Sequence, residues 1–91
     1  MYKVVHTTLF RKDLKAAIKR GYDIDLLDEV VTKLANGEQL PERNRDHALT
    51  GNYKGFRECH IKPDWLLMYQ IIDKDLILSL TRTGTHSDLG L

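Results

Sequence analysis

Three histidines, an aspartate and an arginine in the second half of the chain have side chains suited to proton transfer and anion binding. They are His47, His60, Asp64, Arg82 and His86. Histidine both gives and takes a proton near neutrality, and arginine makes charge-assisted hydrogen bonds to phosphate. Side chains of these types can cleave RNA without a metal ion. One acts as a base that activates the ribose 2′-OH, a cation binds the phosphate, and another acts as an acid that protonates the leaving 5′-oxygen.

Other interpretations of the same residues stay open. A single surface histidine is usually a solvated polar residue, and Asp64 after Pro63 is also a common turn residue. A His3Asp zinc site is a second functional interpretation, although no H-x3-H or HExxH spacing supports it. Trp65 at the start of an apolar strand suits stacking on an RNA base, but packing in the core is the commoner role.

The elements that must position these residues follow from hydrophobic periodicity, which predicts two helices and four strands. In chain order they are a strand over 2–6, a helix from Thr8 as N-cap to the residue before Gly21, a helix from Asp23 or Asp25 to Asn36 with Gly37 as C-cap, an irregular segment over 37–52, and strands over 56–61, 65–72 and 76–82. The strand connectors 62–64 and 73–75 are short enough for antiparallel hairpins.

This order, β-α-α-β-β-β, predicts a single α+β domain over residues 1–91, with a helical hairpin packed on one face of a mainly antiparallel sheet. The other face is left for solvent or a ligand. In a meander, alternate strand ends meet at one edge, so we expect His60, Asp64, Trp65, Arg82 and His86 to converge there. Cys59 should point away from His60 into the core.

Strand alternation raises a difficulty for Arg82. It has the same parity as Leu76, Leu78 and Leu80, which are expected to face the helices. A bulge, or the end of the strand near Gly84, must therefore re-aim the arginine. His6, on the first strand, has no companion motif and receives no role.

Composition limits the class of protein. The 91 residues carry a net charge of +1 and a single cysteine, which excludes an internal disulfide. No apolar N-terminal segment or membrane-length run is present, so we expect a cytoplasmic location and no membrane partner. Five basic residues in 11–20 form either a solvated helix face or a surface for phosphate or an acidic partner: Arg11, Lys12, Lys15, Lys19 and Arg20.

The run 46-DHALTGNYKGFRECHIKPDWLLMY-69 together with 82-RTGTH-86 resembles the YafQ toxins, a branch of the RelE-like superfamily of bacterial type II toxin-antitoxin systems. The resemblance implies a ribosome-dependent mRNA endoribonuclease that needs no metal or other cofactor and is silenced by a cognate antitoxin. It also implies functional roles for His47, His60, Asp64, Arg82 and His86, with Trp65 beside them. RNA contacts are expected from Lys54, Lys62 and the basic helix.

The C-terminus departs from the family pattern. YafQ-like chains place an aromatic residue a few positions after the last histidine, whereas this tail reads 87-SDLGL-91. Gly90 and Leu91 cannot stack on a base as an aromatic ring does, and Asp88 adds a negative charge near the expected phosphate. The alternative hypothesis is therefore a weak or inactive protein of the same fold, which binds antitoxin or RNA without cutting.

Overall fold

The computed structural model describes all 91 residues and has the predicted order of long elements, with a short strand and a short helix in addition. Three single turns of 3-10 helix, at Glu42–Asn44, Gly51–Tyr53 and Asp73–Asp75, lie in the connections. The helices and strands are β1 (Lys3–His6), α1 (Thr8–Lys19), α2 (Ile24–Ala35), β2 (His47–Ala48), β3 (Arg57–Lys62), β4 (Trp65–Ile72), β5 (Ile77–Gly84) and α3 (His86–Leu89).

Side-chain caps fix where the two long helices begin. The N-cap of α1 is Thr7, whose hydroxyl accepts a hydrogen bond from Phe10 N at 2.9 Å, so the prediction of Thr8 was wrong by one residue. Asp23 is the N-cap of α2 and accepts from Asp25 N at 3.1 Å. Gly37, predicted to end α2, has a φ of 75°, a left-handed conformation that favours glycine.

The sheet has five strands in the order β1-β5-β4-β3-β2. The strand β1 pairs parallel to β5, and the other neighbours are antiparallel. Both long helices pack on one face, as predicted. Their contribution to the core is Phe10, Leu27, Val30, Leu34 and Ala35, packed with Cys59, Trp65, Leu67, Tyr69, Leu78 and Leu80 of the sheet.

A bulge in β5 resolves the orientation of Arg82. Tyr69 pairs with Leu80 and Met68 pairs with Arg82, so Thr81 has no partner. The extra residue moves Arg82 to the face opposite the helices, as the sequence required. Leu76 was wrongly assigned to this strand: its φ is 52° and its side chain is exposed in the turn before β5.

Two short elements were not predicted. The strand β2, of two residues, pairs with β3 through His47 and Glu58 and lies within the segment expected to be irregular. The helix α3 begins after Thr85, whose hydroxyl accepts from Asp88 N while the Asp88 carboxylate accepts from Thr85 N. This capping box was readable in the sequence. No helix has the length and apolar character needed to cross a membrane.

Candidate active site

A row of paired residues crosses the sheet on the face opposite the helices. His47 pairs with Glu58, Glu58 with Met68, and Met68 with Arg82. Paired residues project from the same face of a sheet. The side chains of His47, Glu58 and Arg82, which belong to three different strands, therefore share one surface.

The next row brings His60 and His86 together. His60 pairs with Leu66, and Leu66 pairs with Gly84 at the end of β5, two residues before His86 begins α3. The ring centroids of His60 and His86 lie 5.6 Å apart with an interplanar angle of 57°. The edge predicted from the meander thus unites these two residues.

Glu58 lies at the centre of this surface, and the sequence analysis missed it. Its side chain is only 7% exposed, and its Oε1 lies 3.6 Å from His60 Nε2 and 4.0 Å from His47 Nε2. A buried carboxylate is costly without such partners. The available signal was its spacing, because residues two apart on a strand share a face and Glu58 precedes His60 by two.

The Nδ1 atoms of all three histidines face hydrogen-bond acceptors. His60 Nδ1 lies 3.2 Å from the carbonyl oxygen of Pro63, and His47 Nδ1 lies 2.7 Å from the carbonyl two residues before it. His86 Nδ1 lies 2.9 Å from Asp64 Oδ1. Carbonyl and carboxylate oxygens only accept, so each Nδ1 carries a proton and each Nε2 is left for chemistry.

Asp64 holds both the ring and the main chain of His86. Besides the contact to Nδ1, its Oδ1 accepts a hydrogen bond from His86 N at 3.3 Å. The side-chain hydrogen bond, followed by the main-chain one, lowers the pKa of Asp64 below its ordinary value of 3.8. The aspartate is thus kept ionised as the partner of the histidine.

The helix that carries His86 is anchored to α1. Arg20 Nη1 lies 2.7 Å from Asp88 Oδ2, and Leu89 is buried. The pKa of Asp88 is lowered well below its ordinary range, chiefly by Arg20 and then by Thr85 N. Asp88 therefore carries the negative charge expected of it, but that charge is paired with Arg20, the one cation of the basic helix engaged in an ion pair.

Arg82 is held by Asp13 of α1. Its Nε and Nη2 lie 2.7 and 3.1 Å from the two carboxylate oxygens, a bidentate pair, and Thr83 N donates to Asp13 Oδ2 at 3.1 Å. Asp13 raises the pKa of Arg82. Three of the five guanidinium N–H groups, both on Nη1 and one on Nη2, point away from this pair and are available to a phosphate.

Trp65 faces the interior, which corrects its assignment as an RNA contact. The residue is 3% exposed, its ring lies 4.8 Å from that of Tyr22, and its Nε1–H donates to Thr83 Oγ1 at 2.9 Å. A base cannot stack on a ring that is already covered. Cys59 is fully buried in the core as predicted, and burial raises its pKa to about 12.

A partly buried hydrogen-bond network positions the segment that carries His47. Tyr69 donates its hydroxyl hydrogen to Asp46, and Arg57 Nη2 lies 3.1 Å from the same carboxylate. Tyr69 is fully buried, and burial together with Asp46 raises its pKa. The residue next to His47 is thus tied to β3 and β4.

The other residues expected to contact RNA are accessible. All of them are exposed and none forms an ion pair: Arg11, Lys12, Lys15, Lys19, Lys54 and Lys62. The helix that carries the first four contacts the site through Asp13 and Arg20.

The residues that could hold a metal ion are Glu58, His60 and His86, since one donor atom of each lies within 4.8 Å of the others. The alternative His3Asp set is not formed. Asp64 contacts Nδ1 of His86, on the side of the ring away from the other histidines, whereas the carboxylate of Glu58 lies near Nε2 of His60.

Comparison with known proteins decides the family. The family described as bacterial toxin of type II toxin-antitoxin system, YafQ, matches residues 2–90. The chain belongs to the YafQ toxin family. The mRNA interferase toxin YafQ of Escherichia coli strain K12 is 43% identical over 81 residues, which cover 88% of this chain and 86% of that protein.

Solved structures of YafQ and related toxins have the same fold. A metal-bound toxin from Helicobacter pylori is 46% identical, with a TM-score of 0.93 and coverage of 98% of this chain and 99% of that one. YafQ in the E. coli DinJ-YafQ complex is 38% identical, with a TM-score of 0.89 and coverage of 98% of each chain. The family and the fold expected from the sequence motifs are both confirmed.

Proposed function

We propose that this YafQ-family toxin is an endoribonuclease that cuts mRNA in the ribosomal A site without a metal ion and so inhibits translation. The E. coli relatives are named mRNA interferase toxins. The observation that carries the proposal is that two carboxylates on one surface are paired with histidines. Glu58 lies beside His47 and His60, and Asp64 lies beside His86.

The two carboxylate–histidine groups divide the proton transfers. One group removes the proton of the ribose 2′-OH, which attacks the adjacent phosphorus, and the other protonates the 5′-oxygen as its bond to phosphorus breaks. Asp64 holds His86 in one tautomer and stabilises its imidazolium, whereas Glu58 Oε1, 3.6 Å from Nε2, stabilises the imidazolium of His60. The rings of His60 and His86, with centroids 5.6 Å apart, are close enough for both to reach one phosphate.

Arg82 supplies the charge for the transition state. The free N–H groups of its guanidinium hold the phosphate oxygens as negative charge builds up on them. Asp13 occupies the other side of the guanidinium and fixes its plane. The bulge at Thr81 is what places this arginine on the same surface as the histidines.

The basic helix and Lys54 and Lys62 are the proposed contacts to ribosomal RNA and to the message. Phosphate contacts of this kind need exposed, unpaired cations, and Lys12, Lys15 and Lys19 meet both conditions. Working on ribosomes, the protein acts in the cytoplasm. A cognate antitoxin is its second partner, by analogy with the DinJ-YafQ complexes of E. coli.

Primer extension on a translated message tests this function. Expression of the chain should produce cuts at codons of translating ribosomes, and His86→Gln should abolish them while leaving the fold intact. If the message stays intact during active translation, the protein is a non-cleaving binder of antitoxin or RNA. The non-aromatic tail favours that alternative, whereas the pairing of Asp88 with Arg20 removes one of its arguments.

A further inference from the structure

A basic cavity lies beside the candidate active site, between the 3-10 turn Glu42–Asn44 and the end of β3. Its volume is about 380 Å³, and the cations that line it are Arg43, Arg45 and Lys62. His60 lines it as well, so the cavity and the candidate active site share a residue, and no acidic residue lines it. The volume falls within the range of about 300–1,000 Å³ that is usual for small-ligand sites.

The three cations of this cavity have no anionic partner within the fold. Arg43, Arg45 and Lys62 are all exposed, and none of them forms an ion pair. Like charges gathered around one cavity repel each other, and a bound anion relieves that repulsion. Arginine binds a phosphate through two parallel N–H groups, and lysine binds it as a point charge. The cavity therefore favours a phosphate group as its ligand.

Hydrogen bonds fix the backbone around the cavity relative to two of the site histidines. Asn44, between the two arginines, is buried, and its Nδ2 donates to the main-chain oxygen of His60 at 2.7 Å. The carbonyl oxygen of Arg45 lies 2.7 Å from His47 Nδ1. Arg45 has a φ of 48°, a left-handed conformation that glycine adopts with less strain. The arginine is thus held at a fixed place beside His47 and His60 although the backbone there favours a smaller residue.

We propose that Arg43, Arg45 and Lys62 bind the phosphate of the message that adjoins the scissile phosphate. With the scissile phosphate between His60 and His86, the next nucleotide on the His60 side lies over this cavity. Ribosomal RNA offers the same phosphate chemistry, but the cavity shares His60 with the candidate active site and so lies on the path of the cleaved strand. The subsite holds that strand in register with the catalytic groups. The inference rests on the proposed function, because it extends the binding of the RNA that is cut.

NMR titration of the full ¹⁵N-labelled chain with a short 2′-O-methyl RNA tests the subsite, because this RNA cannot be cut and needs no ribosome. The main-chain amide signals of residues 43–45 and 60–62 should shift as the RNA binds. Arg43→Gln/Arg45→Gln should weaken binding by about tenfold or more. It should also reduce the slope of log K against log salt concentration by about 1.4, since each phosphate contact to a single strand contributes about 0.7.

The matched control is Lys3→Gln/Lys74→Gln, which removes two exposed positive charges at the opposite end of the sheet and should bind as the parent does. Arg43→Lys/Arg45→Lys should restore the salt slope but not the full affinity, because lysine lacks the bidentate fork. The NMR spectra themselves establish that each variant is folded. Equal affinities of the double glutamine variant and its control, or the absence of signal shifts in the parent, would overturn the subsite.

Two further measurements identify which phosphate is bound. A neutral methylphosphonate, placed at one linkage of the short RNA at a time, should weaken binding to the parent at one position and leave Arg43→Gln/Arg45→Gln unaffected there. Sedimentation with ribosomes that carry no message should show equal binding of parent and variant, and a loss by the variant would assign the arginines to ribosomal RNA and overturn the proposal. RNA binding at this cavity by a chain that never cuts a translated message would overturn the proposed function and leave the subsite standing.

Discussion

A single oxygen of Asp64, Oδ1, meets both the ring Nδ1 and the main-chain N of His86, at 2.9 and 3.3 Å. The two contacts couple the start of α3 to the orientation of the imidazole. The turn between β3 and β4 thereby reaches across to the C-terminal helix. This relationship makes Asp64 a residue that acts through His86.

Asp64→Asn keeps an oxygen that can accept from His86 but removes the charge that stabilises an imidazolium. We expect cleavage of the translated message to slow by about 100-fold or more, with an altered dependence on pH. Asp75→Asn, in the exposed turn before β5, is the matched control and should cleave as the parent does. A fully active Asp64→Asn variant would contradict a role for this pair.

Arg82 is expected to act in cleavage, and its ion pair with Asp13 is expected to contribute to the stability of the fold. Arg82→Ala should slow cleavage by about 100-fold or more, and Arg82→Lys should not restore it, because lysine lacks the planar bidentate fork. In thermal unfolding, the Asp13→Ala/Arg82→Ala pair should lose less stability than the sum of the single losses. Additive losses would show that the ion pair contributes nothing measurable.

The pairing of Asp88 with Arg20 predicts an acid-sensitive anchor for α3. Because the folded-state pKa of Asp88 lies below its ordinary 3.8, the unfolded chain takes up this proton first. The contribution to stability is therefore present above about pH 4 and is lost as the pH falls further. Asp88→Asn should lower the unfolding temperature at neutral pH by no more than about 5 °C, and the difference from the parent should shrink steadily as the pH falls from about 4 to about 2. A difference that stays constant over that range would argue against the ion pair.

The burial of Trp65 predicts a loss of stability rather than of RNA contact. Trp65→Ala should destabilise the fold by about 3–5 kcal/mol in urea unfolding, since it leaves a cavity and deprives Thr83 Oγ1 of its donor. Trp65→Phe retains most of the ring volume and should cleave at nearly the parental rate while folded. Impaired cleavage by a Trp65→Phe variant of unchanged stability would instead indicate contact with the message.

The sequence predicted the long elements well because their signals are local. Helical periodicity, the glycine that ends α2 and the short strand connectors can each be recognised within a few residues. Together these local signals were enough to predict the fold. The bulge at Thr81 was foreseen only as a requirement on Arg82, since its position depends on pairing with Met68 and Tyr69. Register of this kind is set by tertiary contacts.

The candidate site was predictable in part. The histidines, Asp64 and Arg82 stood out by type, but Glu58 became visible only when β2 and β3 paired and brought His47 beside it. The partners Asp13 and Arg20 lie about 70 positions from Arg82 and Asp88 in the chain, and no local pattern links them. Trp65 was ambiguous because its burial depends on Tyr22, which arrives from the connection between the helices.

The chemistry of the cut ends tests the central claim most directly. RNA recovered from translating ribosomes with the chain present should carry 2′,3′-cyclic phosphate and 5′-hydroxyl ends, because the ribose 2′-OH is the attacking group. The His60→Gln and His86→Gln variants should give neither end. Fragments with 3′-hydroxyl and 5′-phosphate ends would show attack by water instead, and would contradict cleavage by the paired carboxylates and histidines of this surface.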